Sequence, residues 1–212
     1  MPLLGIGVTV EVQKTLGSPI TLTAITKANP GVASSVAHGL LDGDVVVLDL
    51  TGMSQIDGQA VRVANKTADT FELEGIDTTL FGTFTSGTAT EITAWDTFGL
   101  SQELNVDEQT PDEIDVTTLL DTEKKIEYGL LSAVKGRIGS LFEATDVALV
   151  NLRAASKAKT ARGWRITFAD SSKAIFNSKV AIGDAFQMAQ GQAGKTGASF
   201  TLVGRQMMFY AS

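Results

Sequence analysis

Asp112-Glu113-Ile114-Asp115-Val116-Thr117-Thr118-Leu119 is the stretch on which the reading of this 212-residue chain turns. Ile114 and Val116 fall on one side of an extended backbone, and Asp115 and Thr117 on the other. That is the two-residue period of a half-buried strand. Around it, residues 99–123 hold Glu103, Asp107, Glu108, Asp112, Glu113, Asp115, Asp121 and Glu123 and no base. Like charges at this density resist compaction of an isolated segment, so the part before Asp112 is expected to be a long loop. With a β-rich half after it, the fold class reads as mainly β.

Working toward the C-terminus, strands are expected at Ile126–Leu130 and Val134–Phe142, the latter with Ile138, Ser140 and Phe142 on one face. Residues 144–157 carry a helical period. Thr145 or Glu143 stands near its start, and Asp146 suits the positive N-terminal end. Val147, Val150 and Ala154 line one side, with Ala148, Leu152 and Ala155 beside them; Asn151, Arg153 and Ser156 face outward. Lys157 and Lys159 close the C-terminal end, where cations are favoured. A hairpin follows. Trp164, Ile166 and Phe168 alternate with Arg165 and Thr167, Ala169-Asp170-Ser171-Ser172 makes the turn, and Ala174, Phe176, Ser178, Val180 and Ile182 continue. Beyond Gly183–Gly194, Ala198, Phe200 and Leu202 mark another half-buried strand, and Met207-Met208-Phe209-Tyr210 a last apolar one.

Toward the N-terminus, Gly5 to Gln13 alternates, with Ile6, Val8, Val10 and Val12 on one face. Lys14-Thr15-Leu16-Gly17-Ser18-Pro19 breaks that strand. Residues 20–92 read as a small all-β module, with strands at Ile20–Thr26, Val45–Leu50, Ala60–Ala64, Thr70–Leu73 and Gly87–Ile92. Turn signals separate them at Asn29-Pro30-Gly31, Asp42-Gly43-Asp44, Gln55-Ile56-Asp57-Gly58 and Glu74-Gly75. The expected organisation is a discontinuous body, 1–15 and 93–212, with an inserted module at 16–92.

Composition narrows the function. At 43% hydrophobic residues the chain can bury a true core. It has no cysteine, which excludes disulfides, thiolate catalysis and cysteine zinc sites. Its one histidine excludes a multi-histidine metal centre. No apolar run reaches the length of a membrane span. The start, Met1-Pro2-Leu3-Leu4-Gly5, lacks the layout of a secretory signal, so synthesis in a cytosol is expected. The net charge of −7 conceals a split. Residues 1–123 hold 19 acids and 4 bases, whereas residues 124–212 hold 5 acids and 13 bases. Oppositely charged halves suit self-association as well as two solvated surfaces.

The chemical candidates are weak. His38 with Ser34, Ser35 or Asp42 supplies the residue types of a triad, but Ala-His-Gly-Leu reads better as a turn. Asp42-Gly43-Asp44 offers calcium-type oxygens without the further ligands and closing glutamate of a calcium loop. Gly5-Ile6-Gly7 lacks the third glycine and helix of a phosphate loop. Lys157, Lys159, Arg162 and Arg165 form a basic set without interleaved exposed aromatics, which favours a helix end or a subunit contact over nucleic acid. Met207 and Met208 read as core or interface filler. No catalytic residue, metal or cofactor is expected.

Taken in order, these pieces resemble the major tail tube proteins of long-tailed, siphophage-type bacteriophages. The residues that carry the resemblance are Asp112 to Leu119, Gly136, the Asp146–Ala155 helix, Trp164-Arg165-Ile166-Thr167-Phe168 with Asp170, and the last strands. The run Ile25, His38-Gly39-Leu40, Gly43-Asp44-Val45-Val46, Thr70-Phe71-Glu72-Leu73 resembles a small β-barrel module common in phage tail proteins. That module is often likened to the first catalytic-cysteine half-domain of ubiquitin-activating enzymes, whose chemistry a cysteine-free chain cannot carry. The resemblance implies a β-sandwich or barrel with one flanking helix and an inserted all-β domain. It implies a structural, non-enzymatic virion protein that forms stacked hexameric rings, the tube through which DNA passes. It implies as partners other copies of itself, a tape measure protein, a tail terminator and baseplate proteins, without a membrane. In that setting Leu104, Val106, Asp107, Glu108, Asp112, Glu113 and Asp115 would order on a neighbour, opposite Lys157, Lys159, Arg162 and Arg165. Acidic groups in the bore would let DNA slide. A second class stays open: a host-surface glycan-binding module on a tail-associated carrier.

Overall fold

The structure, a computed structural model, describes residues 7–183 and 186–211. Ile6, expected to head the first apolar row, lies outside them. Two antiparallel neighbours organise the rest: β1 (Thr9–Leu16) and β8 (Ser86–Thr97), paired from Glu11↔Thr97 to Leu16↔Ile92. Between them the chain forms β2 (Ile20–Leu22), β3 (Ala24–Ile25), β4 (Gly31–Ser34), β5 (Val45–Thr51), β6 (Ala60–Ala64) and β7 (Thr70–Leu73). After β8 come β9 (Ser101–Val106), β10 (Pro111–Asp115), β11 (Ile126–Leu131) and β12 (Lys135–Leu141). Helix α1 (Val147–Ala158), β13 (Ala161–Thr167), β14 (Lys173–Ala181) and β15 (Lys195–Tyr210) complete the chain. The large antiparallel sheet runs β3-β4-β7-β6-β5-β8-β1-β13-β14-β15-β12-β9, with β2 beside β8; β10 and β11 form a separate pair. The mainly β reading with one helix is what the chain adopts.

Several expectations need correction. The acidic segment before Asp112 is not a long loop: Ser101–Val106 pairs with β12 from Val106↔Gly136 to Ser101↔Ser140. Its charges sit on an exposed face while its backbone is bonded, so charge density does not prevent a strand. The strand through Ile114 stops at Asp115, where the Asp115 carboxylate accepts the Thr117 N–H at 2.9 Å and turns the chain. Ile20–Thr26 is two short strands, and Gly31–Ser34 is an unexpected one. The two final strands are one, bent at Gly204, whose φ of +93° suits glycine.

Two apolar cores result. In the module, the pleat of β5 buries Val46, Leu48 and Leu50 against Val61, Val63, Phe71 and Leu73. In the body, Trp164 is fully buried with its ring near-parallel to Phe98 (5.7 Å) and Phe176 (5.9 Å) and tilted against Phe200 (5.4 Å). Val10, Val12, Ile138 and Ile166 surround this stack. Gly136 sits beneath Phe200, and a Cβ there would overlap the ring and the Asn105 carbonyl.

The cores meet along one seam. Ile175, Met208 and Tyr210 of the body pack into the module's core. The Tyr210 hydroxyl accepts the Arg62 backbone N–H at 3.0 Å, and the Arg62 guanidinium, paired with Glu74, lies over the Tyr210 ring at 4.6 Å. The Asn177 amide donates to the Gly58 carbonyl at 2.8 Å. Burial pushes the Tyr210 phenol up to about 12.

Two outcomes follow. Gly136→Ala should lower stability by roughly 1–3 kcal/mol, because Phe200 has to leave its stack to admit the methyl group; urea unfolding followed by tryptophan fluorescence reads it. Raising the pH should weaken the seam. Below the ordinary phenol value of 10 the contribution of Tyr210 is fully present; between there and about 12 the unfolded chain ionises first and the contribution is lost. Tyr210→Phe should show a shallower loss of stability than the parent over that pH range.

Candidate assembly surfaces

The surface features that call for a partner lie on the body. Strands β9 and β12 continue past the sheet as a projecting arm, β10–β11, paired Pro111↔Leu131, Glu113↔Tyr128, Ile114↔Glu127 and Asp115↔Ile126. At its base, Asp107 N–H donates to the Lys135 carbonyl at 2.8 Å and Ser132 N–H to the Thr110 carbonyl at 3.0 Å. At its tip, Lys125 N–H donates to the Thr117 hydroxyl at 3.0 Å and Thr118 N–H to Asp121 Oδ2 at 2.9 Å. The ammonium of Lys125, with the Thr118 bonds, holds the Asp121 carboxyl below its ordinary range; the Thr117 hydroxyl and N–H do the same for Asp115. The arm is locally ordered and largely exposed, with Gln109 and Leu131 at its base beside the module residues Ile56, Ile76 and Phe81. Leu119 is 106% exposed, Leu120 95% and Leu130 83%, with Tyr128 and Leu131 also in the open. Isolated surface leucines are ordinary; five large apolar residues exposed on one projection make it a candidate interaction site.

Beside the arm's base lies an apolar groove of about 550 Å³ lined by Leu104, Val106, Val134, Ile166, Phe168, Met207 and Phe209, with Asp107 and Gln109 at the rim. Strand β9 forms its edge and ends the sheet, so one row of β9 backbone groups has no neighbouring strand.

The sequence-predicted residues fall into distinct settings. Leu104 and Val106 face the groove, and Asp107 and Glu108 stand exposed between β9 and the arm. Asp112, Glu113 and Asp115 lie exposed on β10. Lys157 and Lys159 are exposed at the helix end, where Lys159 takes the left-handed cap conformation. Arg162 and Arg165 are already engaged within the chain. Arg162 Nε donates to Asn151 Oδ1 at 3.1 Å, and burial lowers its guanidinium pKa. Arg165 pairs with Glu11 at 2.7 Å and lies 4.5 Å over the Trp95 ring.

The helix presents a different face from the one its period suggests. Ala148, Leu149, Leu152 and Ala155 are buried, while Val147 and Val150 are exposed. Asn151, expected to face outward, fixes this rotation: its amide donates to the Gln13 carbonyl at 2.8 Å and to Asp96 Oδ2 at 3.0 Å. Asp146 caps the helix, accepting the Leu149 N–H at 2.9 Å.

The chemical candidates have structural occupations. His38 is buried edge-on to Phe71, its Nδ1 accepting the Leu40 N–H at 3.1 Å and its Nε2 lying 3.3 Å from the Thr70 carbonyl. Asp42 accepts the Lys66 N–H and Asp44 the Leu41 N–H, closing the turn between them. Met208 is core and Met207 lines the groove.

The family model described as "Phage tail tube protein, TTP" matches residues 51–212. The chain belongs to this family. It is a structural component of a phage tail. No curated protein matches the chain. Among solved structures, one described as the tail of an empty GTA particle computed with helical refinement and C6 symmetry is 11% identical. It aligns at a TM-score of 0.41 and covers 55% of this chain and 87% of that one.

Asn151 is the hub of the helix contact, so Asn151→Ala should cost about 1–3 kcal/mol by leaving Arg162 and Asp96 short of partners. A shift in the urea midpoint of that size, matched by loss of the Arg162→Ala effect in the double variant, is the expected result.

Proposed function

We propose that copies of this tail tube protein close into rings of six, that the rings stack into a tube, and that genomic DNA passes through the bore. The observation that carries this reading is the arm: an ordered hairpin whose tip leucines, Leu119 and Leu120, make almost no contact in the single chain. A second copy supplies that contact. The open edge of β9 and the groove beside it are the complementary features, since a ring joins sheet edges that a monomer leaves bare. Around the arm, Asp107, Glu108, Asp112, Glu113 and Asp115 favour the basic side of a neighbour, with Lys157 and Lys159 as free cations there. Arg162 and Arg165 serve this contact less, being held by Asn151 and Glu11.

Residues 16–92 form, in this reading, a module on the outer surface of the tube, leaving the body where Leu16 and Ile92 pair. The tape measure protein, the tail terminator and baseplate proteins meet the tube at its bore and ends. The subunit is made in the host bacterial cytoplasm and works as a scaffold and not as a catalyst.

Replacing Leu119 and Leu120 together by Ser should leave the monomer as stable as the parent and abolish tubes in negative-stain images of concentrated protein. Normal tubes from this variant would overturn the role of the arm. Asp107→Lys with Glu108→Lys should slow polymerisation followed by light scattering, through like charges brought together. Joining Thr15 to Thr93 through a short linker, with Ile175, Met208 and Tyr210 changed to polar residues to suit the bared seam, should give tubes of smaller outer diameter. Tubes of unchanged diameter would place the module in the wall.

A further inference from the structure

Helix α1 is apolar on two sides and buries only one. Ala148, Leu149, Leu152 and Ala155 face the body core. On the opposite side Val147, Val150, Ala154 and Ala158 follow one another at intervals of three and four residues, and all four are exposed. Val147 is 59% exposed and Val150 49%. Valine is a poorer helix former than alanine, lysine or glutamate, because its branched side chain is held to one rotamer against the preceding turn. Two valines on a solvent face therefore do nothing for the helix itself. Beside them lies a hollow of about 470 Å³, walled by Ala144, Thr145 and the ion pair of Lys14 with Asp96 at 3.1 Å. Lys157 and Lys159 stand exposed at the far end of the row. From Val147 to Arg165 the chain holds five bases and no acid.

We infer that this second apolar row receives the arm tip of another copy, Leu119 and Leu120 lying against Val147 and Val150. The inference rests on the proposed assembly and names the surface that takes the arm. Charge selects that surface over the groove beside β9. The arm, residues 111–131, holds six acids and two bases, and both bases are engaged with its own acids, Lys125 with Asp121 and Lys124 with Asp115. The groove carries Asp107 at its rim, with Glu108 exposed next along the chain, so an acidic arm entering it meets like charge. At the helix the arm meets Lys157 and Lys159 while its leucines leave water. The groove and the bare edge of β9 are left for the joining of sheet edges between ring neighbours. Two helices of different copies packed row on row are the other way to cover the valines. That contact is isologous and closes at two copies, whereas an arm on a helix is heterologous and repeats from copy to copy, as a growing tube requires. Helix pairing also leaves Leu119 and Leu120 bare.

The chain has no cysteine, so single cysteines report contacts without background. Leu119→Cys and Val150→Cys proteins are made separately, mixed with parent protein to carry assembly, and treated with a short bismaleimide cross-linker. A 119–150 link between copies, identified by peptide mass spectrometry, is expected in tubes and not in dilute unassembled protein. Leu119→Cys mixed with Phe209→Cys, in the groove, should give none. Val147→Ser with Val150→Ser should leave the urea midpoint unchanged and raise the concentration at which tubes appear by at least about tenfold. Tubes without the 119–150 link overturn the assignment, and a 119–209 link in its place gives the arm to the groove. A linked dimer from Val150→Cys protein alone overturns it in favour of helix on helix. Tubes from the folded serine variant at the parent's concentration overturn it too; should that variant lose stability, the cross-link decides. Failure of the parent itself to form tubes is the separate result that removes the underlying reading.

Discussion

The twelve residues of β8 bond to two different neighbourhoods at once, and the remaining architecture depends on that. Its first half holds β5 and β2, and its second half holds β1. A strand shared in this way fixes the orientation of module and body more firmly than a linker does, because the hydrogen bonds on either side belong to one rigid ribbon. The apolar seam of Ile175, Met208 and Tyr210 then follows, since the strands that supply it stand beside the module. The domain boundary drawn from composition at residue 93 falls inside this strand, at the irregularity between Thr15↔Ala94 and Leu16↔Ile92 near which its partners change from β5 and β2 to β1.

Where local pattern and tertiary environment agree, the sequence was readable. Trp164 to Val180 folds as the expected hairpin because both strands bury every second residue, and β6 and β7 begin and end at the expected residues. The helix was legible as a helix but not in its rotation. Two apolar rows were available, and the choice between them rests with Asn151 and its bonds to Gln13 and Asp96, more than fifty residues away. Strand β9 was hidden by its charges, since its backbone partner lies on β12 across the whole arm. The internal engagement of Arg165 depends on Glu11 near the other end of the chain, and no local pattern announces it. For the same reason the row of Lys135, Thr201 and Lys179 exists only once the register of three strands is known.

Charge and apolar surface are distributed differently from an ordinary monomer. A soluble chain usually blunts an open sheet edge with lysines or covers it. Here the edge strand carries Leu104 and Val106 toward an apolar groove, and the adjacent hairpin holds Leu119 and Leu120 out in the open. Net acidity keeps separate copies apart in solution, and the opposed charge of the two halves gives an approaching pair a preferred orientation. Such a surface resists random association yet rewards one geometry.

The groove also has a consequence for quality control. One of its walls is built from Met207 and Phe209 on the last strand, another from Ile166 and Phe168, and a third from Leu104 and Val106. Its partner β1 residues Thr9 to Val12 pair with β13 only after some 150 further residues have been made, a non-local closure of the kind that folds late. A chain broken off during synthesis therefore lacks a wall of this groove. In the proposed assembly the groove proofreads the polypeptide that carries it, and a growing polymer selects finished subunits without any separate inspector.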